Sequence, residues 1–112
     1  MPDSSISAVI RNYISAEQKQ DYARVYLLLS RRMREQLRRE NAVMGAKEYK
    51  KLRQSSEAHW FDFAETKRNV AVEEATVMFN VTIEESGEKE RVPLTVRLLI
   101  QDKNWKIDDI NY

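Results

Sequence analysis

The sequence predicts an α+β domain in which N-terminal helices pack on one side of an antiparallel sheet. Two observations carry this reading. From Thr76 to Glu84 the apolar residues Val77, Phe79, Val81 and Ile83 hold every second position, and from Val92 to Ile100 the alternation returns in Val92, Leu94, Val96, Leu98 and Ile100. Period-two apolarity over nine residues marks a strand with one buried face. In the first half the apolar spacing is instead 3, 1, 3 and 1, which stripes one side of a helix. The change of period divides a single domain, residues 1–112, into helices over about 4–55 and a sheet over about 59–112.

In chain order, Asp3, Ser4 or Ser5 caps a first helix whose stripe is Ile6, Val9, Ile10, Tyr13 and Ile14. Gln20-Asp21 breaks it, and Asp21 caps a second helix carrying Tyr22, Val25, Tyr26 and Leu29. Ser30 caps a third, with Met33, Leu37 and Met44 on one face and Gly45 as its left-handed stop. A fourth helix, Ala46 to about Ser55, buries Tyr49 and Leu52. From His59 the period is two, with His59, Phe61, Phe63 and Glu65 on one face and Trp60, Asp62 and Ala64 on the other. Lys67-Arg68-Asn69, Ser86-Gly87 and Asp102-Lys103-Asn104 are the expected turns. Pro93 suits a strand's edge or start. In the last strand Trp105, Ile107 and Asp109 alternate with Lys106, Asp108 and Ile110.

Composition narrows the function classes. The chain has 112 residues, is 42% hydrophobic and 33% charged, and carries a net charge of +1, the mark of a well-solvated globular domain. Residues 1–57 are net +5 and residues 58–112 net −4, so charge follows the helix-to-sheet boundary. Without cysteine there are no disulfides and no thiolate metal sites, and no metal or cofactor is expected. The longest apolar run, Val25 to Leu29, is far too short to span a bilayer. The start Met-Pro-Asp-Ser-Ser shows no signal peptide, which reads as cytoplasmic as written. A chain cut after an export signal would look the same, so the compartment stays open.

Few residues offer chemistry. His59 is the only histidine, with Asp62 and Glu65 nearby in sequence. Strand parity sends Asp62 to the opposite face and puts Glu65 about 20 Å along an extended strand, so a histidine–carboxylate dyad is disfavoured. A β-bulge would reset that parity. The arginines at 31, 32, 34, 38 and 39 lie opposite Met33 and Leu37 with Glu35 among them, the pattern of a solvated helix face. No aromatic interleaves with them to stack bases, which argues against nucleic acid. Asp108 and Asp109 point to opposite faces, and with only Gly45 and Gly87 there is no glycine-rich phosphate loop.

The runs Ile10-Arg11-Asn12-Tyr13-Ile14-Ser15-Ala16, Gln20-Asp21-Tyr22-Ala23-Arg24-Val25-Tyr26-Leu27-Leu28-Leu29-Ser30 and Trp105-Lys106-Ile107-Asp108-Asp109-Ile110 resemble, in that order, the nuclear-transport-factor-2-like (cystatin-like fold) superfamily. The likeness is to its small bacterial members of unknown function, many of them exported or lipid-anchored, which implies an exported or envelope-associated bacterial protein. The resemblance implies a strongly curved, cone-shaped sheet wrapped on the first helix, often with a cavity at its open end. In such a cone Tyr13, Tyr26, Tyr49, Trp60 and Phe79 are candidates to line a pocket for a small apolar ligand, against the plainer reading that they fill the core. The resemblance also implies a homodimer through the outer sheet face. The mixed outward residues Met78, Asn80, Thr82, Thr95, Arg97 and Leu99 would form it, or else an ordinary solvated face. Isomerases of this superfamily pair a tyrosine with acids inside the cone; Tyr13 sits on a suitable helix, but no acids match residue by residue. The expectation is a non-catalytic binding or assembly module, with a small-molecule-binding or isomerase/cyclase-like enzyme using a pocket inside the cone as the alternative.

Overall fold

The computed structural model describes residues 2–112, with side chains from Ser5 onward. Four helices, α1 (Pro2–Gln18), α2 (Tyr22–Leu27), α3 (Arg31–Asn41) and α4 (Ala46–Ser55), precede four strands, β1 (Ala58–Val70), β2 (Glu74–Glu85), β3 (Glu88–Gln101) and β4 (Asn104–Asn111). The strands form one antiparallel meander in the order β1-β2-β3-β4. The expected α+β arrangement with a curved sheet is the one observed. The inward residues Val77, Phe79, Val81, Leu94, Val96 and Leu98 are buried against Ile6, Ile10, Tyr13 and Ala16 of α1. Alternation built that face because successive strand residues point to opposite sides.

Helix boundaries follow their caps. The Asp21 side chain accepts from the Arg24 amide, and Ser30 Oγ accepts from the Met33 amide, as expected for helix starts. The first helix differs. It already includes Asp3, Ser4 and Ser5, so none of them precedes it, and Pro2 stands in its first turn, where a missing N–H costs nothing. The stop of α3 also differs: Ala42, with φ 55°, takes the left-handed position, and Gly45, with φ −173°, is extended and opens α4. The chain therefore turns three residues early, burying Val43 and leaving Met44 69% exposed rather than on the Met33–Leu37 face.

Two turns fall where expected. Ser86-Gly87 and Asp102-Lys103 are two-residue hairpin loops with both φ values positive, the pair of dihedrals that matches strand twist. The first turn does not: β1 continues through Lys67-Arg68-Asn69, and the chain reverses at Ala71–Glu73. Within β1 the register shifts between Phe61 and Ala64, where Asp62 has φ 57°. That bulge breaks the expected alternation, so Trp60 is buried and Phe63 packs on the core as well. Another irregularity, between Arg97 and Leu98, shifts β4, pairing Ile110 with Val96 and burying Asp108. Pro93 lies beyond the end of β4, where its missing N–H faces no strand.

Candidate functional site

A polar cluster sits under the helices, built from residues one turn apart. Tyr13 and Glu17 follow each other on α1, and Tyr49 and Arg53 on α4. Glu17 is fully buried and takes two bonds from Arg53, Nη1 to Oε2 at 2.8 Å and Nη2 to Oε1 at 2.6 Å. Arg53 Nη1 also donates to the Tyr49 hydroxyl at 3.1 Å. Its guanidinium lies 4.5 Å from the Tyr22 ring centre and 5.0 Å from that of Trp60. Burial by itself would lower the pKa of Arg53, but the Glu17 bonds and charge, with Tyr49, outweigh it and raise it further. Burial, then the Glu17 charge, holds the Tyr13 phenol well above its usual range, and among the described residues no acceptor lies in hydrogen-bond geometry to its hydroxyl. Tyr49 is likewise raised, first by burial. These phenols are protonated at neutral pH, and the carboxylate among them is clamped.

Beside this cluster, between α3, α4 and the sheet, opens a hollow of about 400 Å³. Met33, Leu37, Leu52 and Ile110 give it apolar walls, Tyr49, Trp60 and Tyr112 aromatic ones, and Arg53 and Glu85 its charged groups. Tyr112 stands edge-on to Trp60, ring centres 5.2 Å apart. Of the residues singled out in the sequence, Tyr49 and Trp60 line this mouth. Tyr13 and Phe79 lie in the core, each edge-on to Phe63 at 5.9 and 5.8 Å. Tyr26 packs on Tyr49 at 5.8 Å and borders a separate surface hollow with Val43 and Met44. Leu52, Ile110, Arg53, Glu17 and Tyr112 went unremarked as site residues; the i, i+4 pairs Tyr13/Glu17 and Tyr49/Arg53 were the signal available.

A second hollow, about 650 Å³, lies between the start of α1 and the β3–β4 turn, bordered by Val9, Leu28, Ile100, Trp105, Lys103 and Lys106. It offers one aromatic ring where the mouth offers three. His59 Nε2 lies 3.0 Å from the Gln18 carbonyl and its ring 5.1 Å from that of Phe61, while the Asp62 carboxylate turns to Arg91 at 3.5 Å. Histidine and aspartate are thus engaged elsewhere.

The basic helix α3 is internally partnered. Arg31 meets Asp102 at 2.9 Å, Arg38 meets Glu35, and Arg34 lies over the Tyr26 ring at 4.6 Å. Asp108, which the β4 register shift buries, accepts from Ser30 Oγ at 2.7 Å, from Arg32 Nε at 2.9 Å and from Arg97 Nη2 at 3.2 Å. Arg32 also reaches the Asp108 carbonyl. Burial raises the Asp108 pKa, but the Arg32 and Ser30 bonds and the neighbouring positive charges together bring it below the ordinary carboxylate value. The six outer-face residues lie across β2 and β3, with Met78 opposite Thr95. Met78, Thr82, Thr95 and Leu99 are half-buried, Asn80 and Arg97 exposed. Among the described residues no three metal-ligating side chains come together. Among those residues no helix is long and apolar enough to cross a membrane.

No protein-family model matches the sequence, and no curated protein matches it either. Solved structures do. A designed NTF2 protein aligns with a TM-score of 0.68 at 16% identity, covering 100% of this chain and 99% of that one. An NTF-2 like protein of unknown function from Shewanella oneidensis aligns with a TM-score of 0.69 at 13% identity, covering 98% and 97%. A SEC-C motif containing protein from Rhodopseudomonas palustris aligns with a TM-score of 0.69 at 11% identity, covering 93% and 75%. At such identities the likeness is one of architecture: this chain has the nuclear-transport-factor-2-like fold.

Proposed function

We propose that the chain is a non-catalytic binding module that holds a small, largely apolar molecule in the mouth of its curved sheet. The observation that carries this is the division of labour around Arg53. The buried pair Glu17 and Tyr13 does not border the mouth, with Glu17 clamped by two bonds; of the ionisable groups that do, Arg53 is tied to Glu17, the Tyr49 hydroxyl accepts from Arg53, and Glu85 stands exposed at the rim. The mouth itself is aromatic and aliphatic, and its volume of about 400 Å³ falls in the range of small-molecule pockets. The test is the fluorescence of N-phenyl-1-naphthylamine, a neutral apolar dye. It is expected to brighten with the wild-type chain and to bind at least about tenfold more weakly to Ser56→Trp, which fills the mouth from an exposed wall position. Unchanged binding to Ser56→Trp would remove the mouth from consideration.

A second reading, assembly of two copies through the outer sheet face, is favoured by the half-buried Met78, Thr82, Thr95 and Leu99, which form a mixed apolar and polar surface suited to a two-fold contact. Arg97 on that face is already held by Asp108 at 3.2 Å. Sedimentation equilibrium is expected to give a dimer that Met78→Lys splits; a monomer at every concentration would end this reading.

A further inference from the structure

The charge and polarity the mouth accepts follow from what already surrounds Arg53, given the reading of the mouth as a binding site. A guanidinium has five N–H groups. Arg53 directs two to Glu17 and one to Tyr49, so its Nε–H and one Nη2–H have no acceptor among the described residues. The Nε–H is not sealed off: among the described residues the buried side-chain nitrogens and oxygens without any partner belong to Tyr13 and Arg34, not to Arg53. The side chain is 14% exposed and forms a wall both of the mouth and of a smaller hollow beside Gln20 and Glu57. Its plane is fixed by the Glu17 clamp and by the Tyr22 and Trp60 rings. A fixed, unanswered donor at the edge of an apolar hollow discriminates for a ligand that brings an acceptor, because the alternative strips water from the donor and returns nothing.

The neighbours also decide the sign of charge. Glu17 cancels Arg53, so an anion finds no net positive charge, and Glu85 on the rim repels it. Arg53 already occupies the faces of Tyr22 and Trp60 that a cation would otherwise use. We infer that the mouth selects a neutral, largely apolar molecule bearing a carbonyl-type acceptor, which takes the spare Nε–H of Arg53 while its body lies among Trp60, Tyr112 and Leu52.

Three naphthalenes of one shape test this by titration calorimetry on the full chain at pH 7. They are 2-acetylnaphthalene (neutral, with an acceptor), 2-isopropenylnaphthalene (no acceptor) and 2-naphthoate (anionic). The acetyl compound is expected to bind at least about tenfold more tightly than either of the others. In Glu17→Met/Arg53→Met, which removes both buried charges together, its advantage over the isopropenyl compound is expected to shrink to about twofold or less. Equal wild-type affinities for those two, a preference for naphthoate, or an advantage that survives in the double variant overturns the inference and leaves the mouth a binding site. Failure of all three to bind overturns both. The wild-type ranking decides the matter even where the double variant fails to fold.

Discussion

Arg53 keeps its charge among three aromatic rings because Glu17, fully buried, meets it there with two hydrogen bonds. Removing one partner strands the other in a medium that cannot solvate it. Arg53→Met alone is therefore expected to cost about 3–5 kcal/mol in urea denaturation, and Glu17→Met/Arg53→Met to recover most of that loss. A double variant no more stable than the single one would show that packing, not charge, governs the site. Asp108 gives a pH-dependent counterpart. Its carboxyl titrates lower in the folded chain than unfolded, so its contribution is complete above the unfolded value, about 3.9, and is lost as pH falls through the folded one. Asp108→Asn is expected to cost about 1–3 kcal/mol at pH 7 and to flatten the stability curve below pH about 4. A curve of unchanged shape would contradict the assignment. Neither pairing was legible in the sequence. Glu17 and Arg53 stand 36 positions apart, Arg32 and Asp108 stand 76 apart, and each of the four looks like any other charged surface residue.

At the scale of elements, the left-handed stop of α3 gives a sharp contrast. Ala42 holds φ 55° with a Cβ that crowds its own backbone, whereas Gly45 is extended and an added Cβ would meet Glu48 Oε1 at an ordinary 3.8 Å. Ala42→Gly is thus expected to stabilise by about 0.5–1 kcal/mol and Gly45→Ala to be neutral or slightly stabilising, read by thermal unfolding. The reverse order would relocate the stop to Gly45. Sequence reasoning favoured Gly45 because glycine alone takes that conformation freely; alanine's adoption of it is imposed by the burial of Val43 next door. The long strands were legible because each residue's face follows from its parity. The ends of β1 and β4 were not, since a single bulged residue such as Asp62 resets parity without a compositional mark. Trp60 and Tyr49 stood out as aromatics, but the bulges decide which of them and their neighbours come to line the mouth.

For the whole molecule, the curved meander and its helical cover leave a filled centre and an open rim. Tyr13, Phe63 and Phe79 close the centre with edge-to-face contacts, and a hollow remains outward between α3, α4 and the sheet. The two tryptophans of the chain report on opposite hollows, Trp60 on the mouth and Trp105 on the groove beside α1. The most direct test of the account is therefore a ¹H–¹⁵N spectrum of their indole N–H groups during titration with N-phenyl-1-naphthylamine. The Trp60 signal should move with saturation while that of Trp105 stays in place; movement of Trp105 alone, or of neither, would contradict a binding site in the mouth.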